Sequence, residues 1–384
     1  MLKRKLSVLT LFIAIAMIAA ACGSSSDDTT TTTTGGGGAD PTTTTAATTP
    51  DATTTTQTPV DPIKVGLVFD IGGRGDQSFN DSAAAGLDKA RVDFPITASE
   101  AAANVDGSNR EELLGLSADE SELVFGVGFL FDVPMFNVAS ETPDVNYGIV
   151  DGFIDVDFDG VSDAPDNVAM LLFAEEEGSF LVGAAAALKS TTGKIGFIGG
   201  VNIPLITAFE AGFRAGALEV NPDIEFDVQY ISQPPDFTGF NDPASGVVIG
   251  QSMYQGGADV VYHAAGGSGS GLFTAAKEFS ESNNTQVWAI GVDSDQWLTA
   301  GDAQPYVLTS MLKRVDVSVY NTIEAQVNGT FAGGVQLFNL EIDGVGYSTS
   351  GGFVDDIVST LDGFKADIIA GTIVVTRDPA DYGG

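Results

Sequence analysis

The sequence predicts a parallel α/β protein made of two doubly wound lobes, and three observations carry that expectation. Strand-like and helix-like patterns alternate from Pro62 onward, the apolar runs are short and rich in Val, Ile and Phe, and the alternation restarts at Gly193-Lys194-Ile195-Gly196. Strand–helix alternation is the pattern of parallel strands joined by helical crossovers. The stretch exceeds one ordinary α/β core, and a turn followed by a fresh apolar strand marks where a second begins. The expected division is residues 63–384 for the folded part, with lobe 1 at about 63–190 plus returning segments and lobe 2 at about 191–310.

In chain order, Lys64–Asp70, Leu123–Gly128, Tyr147–Asp151, Lys194–Gly199, Phe226–Ile231, Val260–Ala264, Val287–Asp293 and Thr372–Thr376 read as strands, and Val307–Lys313 is strand-like. Each is a short apolar run bounded by turn residues. Between them Phe79–Arg91, Arg110–Leu116, Glu176–Lys189, Ala208–Val220, Ala244–Gln255, Gly271–Ser280 and Val315–Asn328 carry apolar residues at helical spacing.

What precedes the folded part reads as export machinery. Lys3, Arg4 and Lys5 lead an apolar run from Leu6 to Ala21 that is short for a membrane span, so residues 1–21 are expected to be a cleaved signal peptide. Ala19-Ala20-Ala21-Cys22 resembles a bacterial lipobox, although leucine is preferred where Ala19 stands; Cys22 is then the lipidated residue, tying an extracytoplasmic protein to the cell membrane. Residues 22–62 are almost wholly Thr, Gly, Ser, Asp and Pro, a composition that reads as a disordered tether. Cys22 is the single cysteine, so the folded part contains no internal disulfide.

The formal charge of −36 excludes nucleic acid as a partner, because no basic surface is available to neutralise phosphates. No run of Lys or Arg follows residue 5, so a neutral or cationic ligand fits the field better than a phosphorylated or carboxylated one.

Ligands of parallel sheets sit beyond the carboxyl ends of the strands. The first such turn runs from Asp70 through Gly72 and Gly73 to Asn80, with Ser78 or Asp76 as the candidate helix cap. It has neither the Walker lysine nor dinucleotide spacing. Phe79, between Ser78 and Asn80, is either a core residue or a ring facing a planar ligand; local pattern leaves both open. The turn Gly266–Gly271 offers bare backbone N–H groups, and Asp293 closes another strand where a carboxylate accepts bonds from two sugar hydroxyls. Lys313 is a candidate partner for that carboxylate, or a solvated lysine.

Catalysis finds little support. The one histidine, His263, lies inside an apolar strand and reads as a core residue, and no cysteine is left to act as nucleophile. A hydrolase would have to use converging Asp70, Asp76, Asp293 and Asp295, usually with a metal. Apart from the strand ends, Asp155, Asp157, Asp159 and Gly160 match a calcium-loop pattern that ends in Asp166 where Glu is usual, which makes calcium at residues 155–166 an alternative to a chance acidic cluster.

Several stretches together resemble the basic membrane protein family of bacterial substrate-binding lipoproteins, which includes purine-nucleoside receptors of ABC importers. They are KVGLVFDIGGRGDQSFNDSAAAGLDKA from Lys64 to Ala90, NVAMLLFAEEEGSFLVGAAAA from Asn167 to Ala187, GKIGFIGGVNIPLITAFEAGFRAG from Gly193 to Gly216, GADVVYHAAGGSGSGLFTAAK from Gly257 to Lys277 and VLTSMLKRVDVSVY from Val307 to Tyr320. The resemblance implies a type I periplasmic-binding-protein fold, two lobes joined by crossing strands with ligand in the cleft. It implies that Phe79 and Phe240 sandwich a base, with Phe237 and Phe209 as lesser candidates for the second ring. Asp70 and Asn80 would address the base or fix the turn, Gly267, Asp293 and Lys313 would hold the ribose, and Asp132 matches a further polar position. Between Ala90 and Leu123 the chain looks short and acidic where the family carries a longer strand and helix, and residues 155–166 look like an insertion.

The expected function is a monomeric, non-enzymatic receptor that passes inosine, guanosine or adenosine to an ABC permease and its ATPase and needs no cofactor. A sugar or autoinducer receptor on the same scaffold is the alternative, and a nucleoside hydrolase a more distant one.

Overall fold

A computed structural model describes residues 62–384; the expected signal peptide, Cys22 and tether up to residue 61 lie outside the described residues. The chain folds in the order β1 (Ile63–Phe69), α1 (Phe79–Asp93), β2 (Ile96–Ala102), α2 (Arg110–Ala118), β3 (Leu123–Val127), α3 (Asp132–Glu141), β4 (Asn146–Val150), β5 (Val168–Phe173) and α4 (Glu175–Lys189). There follow β6 (Lys194–Val201), α5 (Pro204–Val220), β7 (Glu225–Ser232), α6 (Pro243–Gln255), β8 (Val260–Ala264), α7 (Gly269–Asn283) and β9 (Trp288–Asp293). The last elements are β10 (Val307–Lys313), α8 (Val315–Val327), β11 (Gly334–Phe338), β12 (Val345–Tyr347) and α9 (Val358–Ile369).

The strands make two sheets, ordered β11-β5-β4-β3-β1-β2 and β12-β10-β9-β8-β6-β7. The first is parallel throughout, and in the second only the short β12 runs antiparallel, against β10. The central strands are apolar along their whole length because helices cover both faces: every residue of β3 and β8 is buried. Sheet 1 packs Phe131, Met135, Tyr147 and Met170 on one face, and sheet 2 packs Met253, Val261 and Leu272 on one of its own.

The chain crosses between the lobes three times, at Phe173–Glu175, Lys313–Val315 and Phe338–Val345. The first crossing corrects the expected lobe boundary. Helix α4 packs on α5 and along β10 and β12, so the chain leaves lobe 1 at Ala174, well before residue 190. Close packing of α4 on α5 is permitted by Gly212 and Gly216, where a Cβ would fall 2.1 and 1.9 Å from the carbonyls of Glu176 and Phe180. Helix α8 returns to lobe 1 against α1, whereas β12 and α9 go back to lobe 2.

Between Ala90 and Leu123 the chain forms the expected helix, α2, and also β2, and one further expectation changes. β2 is an edge strand of Ala, Ser, Thr and Glu with mixed exposure, which hides it from a search for apolar runs. Thr372–Thr376 is not a strand. Thr372 and Ile373 donate to the Asp367 carbonyl at the end of α9, and Thr376 N–H donates to the Tyr382 hydroxyl, so these amides are satisfied without a ladder. No helix among the described residues is long and apolar enough to cross a membrane.

Candidate functional site

The carboxyl ends of β1, β4, β8, β9 and β10 converge on a cleft between the lobes, a space of about 800 Å³ that includes its opening to solvent. Asp70, Phe79 and Asn80 line it from lobe 1, and Phe240, Asp293 and Lys313 from lobe 2.

The first turn owes its shape to carboxylates. Asp76 accepts from the backbone N–H of Ser78, Asn80 and Asp81 at 3.0, 2.9 and 3.1 Å and so caps α1. Its carboxyl is pushed up to about 6, chiefly by burial. Ser78, the other candidate cap, turns its hydroxyl across the cleft to Asp293. Asp70 accepts from Ile71 N–H at 2.8 Å and pairs with Arg110 at 2.6 Å, fixing the turn while facing the cavity. Burial raises the Asp70 carboxyl and Arg110 opposes that rise. Asn80 is buried, donates weakly to Ile71 O at 3.4 Å, and keeps its Oδ1 without a protein partner, an open acceptor in the cavity wall.

Two aromatic rings stand on opposite walls. Phe79 is half-buried and Lys313 Nζ lies 5.4 Å from its centroid. Phe240 approaches from lobe 2 because strand residue Gly200 has no side chain; a Cβ there would fall 2.6 Å from the ring. Phe209 also lines the cavity, whereas Phe237 does not and meets Phe129 edge-on at 5.9 Å, joining the two lobes at the rim.

Beneath the rings lies a buried charge cluster. Lys313 is 1% exposed and bonds Asp151 at 2.6 Å and Glu175 at 3.1 Å. Glu175 is held in turn by Arg377 at 2.6 Å. Burial acts to lower the lysine, but Asp151, Glu175 and Asp293 outweigh it and push Lys313 up to about 12. Burial likewise pushes Asp151 up to about 7, which Lys313 only partly counters; Asp151, Glu175 and Asp293 surround Lys313, and Glu175 has Arg377 as a second cation. Asp151 and Asp293 both adopt left-handed backbones, φ 64° each, at the ends of β4 and β9. Such strain in non-glycine residues gathers where geometry serves a ligand.

Gly267 and Asp132 are not brought into the cavity wall. Gly266 lines it instead, because it opens the turn at the end of β8, while Gly267 faces Asn241 and Asp76 where the lobes touch. Asp132 begins α3 behind Asp151; burial and that neighbour push its carboxyl up to about 8, and its Oδ1 has no partner. His263 is fully buried, as expected of a core residue, and burial lowers it to about 4.

The acidic loop is only partly assembled. Asp155, Asp157 and Asp159 present carboxylate oxygens within 4.8 Å of one another, yet Asp166 is not in that group. A turn in which Val168 N–H bonds Pro165 O steers the chain from Asp166 into β5, where a calcium loop would enter a helix. Asp155 already accepts from Asp159 and Gly160 N–H at 3.1 and 2.9 Å.

Asp151, Glu175 and Arg377 were not anticipated as site residues, and Asp76 was named only as a helix cap and in the hydrolase reading. Asp151 was findable, since it closes an expected strand just as Asp70 and Asp293 do. Arg377 carried no local signal.

The family model described as "ABC transporter substrate-binding protein PnrA-like" matches residues 63–378. A Listeria monocytogenes CD4+ T-cell-stimulating antigen is 35% identical, the match covering 82% of this chain and 88% of that protein. The ABC transporter nucleoside-binding protein BmpA of Lactococcus lactis is 35% identical over 82% and 89%. Among solved structures, an ABC transporter solute-binding protein from Aeropyrum pernix K1 superposes with a TM-score of 0.70 at 30% identity, covering 84% of this chain and 96% of that one.

Proposed function

This chain belongs to the PnrA-like family of ABC transporter substrate-binding proteins, and on that premise we propose that it captures a purine nucleoside, inosine, guanosine or adenosine, between its lobes and delivers it to an ABC permease. One observation carries the reading: Phe79 from lobe 1 and Phe240 from lobe 2 line one cleft together with Asp293, Asp151 and Lys313. Rings on both sides suit a flat heterocycle, each stacking face being worth about 1–3 kcal/mol whatever the base. Fixed carboxylates at strand ends suit paired ribose hydroxyls. The wall offers four carboxylates, from Asp70, Asp76, Asp151 and Asp293, against Lys313, which favours an uncharged nucleoside over its phosphate. Asn80 Oδ1 supplies an acceptor for a base N–H or a hydroxyl.

Calorimetric titration with guanosine, inosine, adenosine, ribose and guanosine monophosphate tests this. Nucleosides are expected to bind and the monophosphate to bind far more weakly; binding by ribose but by no nucleoside would replace the reading with the sugar receptor. Chromatography of the guanosine recovered afterwards should show it intact, and released guanine would point to the hydrolase. Lipid anchoring through Cys22 belongs to the same proposal. Cys22→Ser is expected to move the protein from the membrane fraction to the soluble one.

A further inference from the structure

Gln296 and His263 form a buried polar pair behind the cavity wall, 1% and 0% exposed. Gln296 Oε1 accepts the backbone N–H of Val292 at 2.8 Å and lies 3.0 Å from His263 Nε2. A backbone N–H only donates, so the side-chain atom facing it must be the oxygen, and the orientation of the amide is fixed. His263 Nε2 then carries the ring proton, and Nδ1 is left without a partner. The amide nitrogen of Gln296 points the other way, across the lobe boundary, and donates to Gln77 O at 2.9 Å. Beside it Ser294 Oγ donates to Ser78 O at 3.2 Å.

The fold keeps space for this pair. A Cβ at Gly291 would fall 2.7 Å from Gln296 Oε1, and one at Gly269 would fall 1.8 Å from the His263 ring. Two small residues on separate elements thus leave room for a buried amide and imidazole, and buried Ser310 accepts from the Gln296 backbone N–H at 3.1 Å beside them.

We infer that Gln296, oriented by His263, is a positioning residue for lobe closure: its amide N–H ties the first turn of lobe 1 to lobe 2 and so retains whatever ligand the cleft holds. The inference rests on the reading of the cleft as the ligand site, not on the ligand being a nucleoside. Gln296→Glu isolates the contact. The carboxylate still accepts from Val292 and His263 but faces the Gln77 carbonyl with a second acceptor, whereas its protonated form donates again.

Stopped-flow measurements on the full chain with guanosine should show dissociation accelerated about tenfold in Gln296→Glu at pH 9, where the carboxyl is ionised, the loss of one well-made hydrogen bond, with association little changed. His263→Leu should accelerate dissociation less, and His263→Gln, which restores a donor at the Nε2 position, should bring it back. Small-angle scattering of the same chains without ligand should find Gln296→Glu more open than wild type at pH 9, where the carboxyl is ionised, and closing again as pH falls and the buried carboxyl regains its proton, above the ordinary carboxylate range because burial raises it. The titratable and charged groups around this contact are His263, Asp293 and Asp295 on lobe 2, Asp76 and Asp81 on lobe 1, and Arg314 and Asp316 at the second crossing; wild type carries all seven and is the control for their titration. If guanosine fails to bind wild type, the nucleoside reading falls and scattering alone decides the closure role. Scattering of Gln296→Glu that matches wild type at pH 9 and at lower pH overturns the inference, as does an unchanged dissociation rate.

Discussion

Asp151 and Asp155 lie a few residues apart in an acidic stretch, yet they sit in opposite physical situations. Asp151 is buried at a strand end against Lys313, with a left-handed backbone and one oxygen left unpartnered. Asp155 sits in a surface loop where neighbouring backbone N–H groups already take up its oxygens. The first carboxylate was removed from water at a free-energy cost that only a specific partner offsets; the second retains solvent and costs little. In a chain of such negative charge, the presence of an acid says almost nothing about function, and its distance from water says a great deal.

The contrast is broken most forcefully at the base of the cleft. Lys313→Met leaves Asp151 and Glu175 buried without their shared cation and is expected to cost about 3–5 kcal/mol at alkaline pH, read as a lowered urea midpoint that recovers as pH falls and Asp151 takes up a proton. An unchanged midpoint would place the cluster in contact with water. Phe79→Ala should weaken guanosine binding by about 1–3 kcal/mol in calorimetry, with the unliganded melting temperature nearly preserved because the ring is half-buried.

A subtler effect concerns pH. Folding raises the Asp132 carboxyl from 3.8 to about 8, so the folded chain holds a proton that the unfolded chain releases. That contribution is fully present at low pH and is lost as pH rises toward 8. Asp76 and Asp151, raised to about 6 and about 7, act in the same sense. Wild type should therefore lose stability between about pH 4 and pH 8, and Asp132→Asn should make the fall in melting temperature shallower. Identical slopes would remove Asp132 from this account. The smallest effect belongs to the surface loop: Asp155→Asn should move stability by less than about 0.5 kcal/mol. A larger change seen only when calcium is added would show the loop to be a calcium site after all.

The sequence exposed the central strands of both sheets readily, because a strand covered on two faces must be apolar along its length, as β3 and β8 are. Edge elements such as β2 were hidden, their half-exposed residues resembling loop. The strand-end acids Asp70 and Asp293 were legible because the ends of parallel strands are where ligands sit, whereas local pattern left Phe79 open and Phe240 came from family likeness alone. Asp132 and Gly267 were drawn from family likeness and lie just behind or beside the cavity wall. Arg377 was illegible, since it reaches Glu175 from 202 residues further along and no local pattern records so distant a pairing.

That distance has a bearing on how the protein is made. Glu175 has neighbours in place once lobe 2 collapses, yet its second cation arrives only with the strap that carries Arg377 over the first crossing, where it also bonds the Phe173 carbonyl. A chain truncated before residue 377 would keep every strand of both sheets and lose the guanidinium on Glu175, leaving the floor of the cleft one positive charge short.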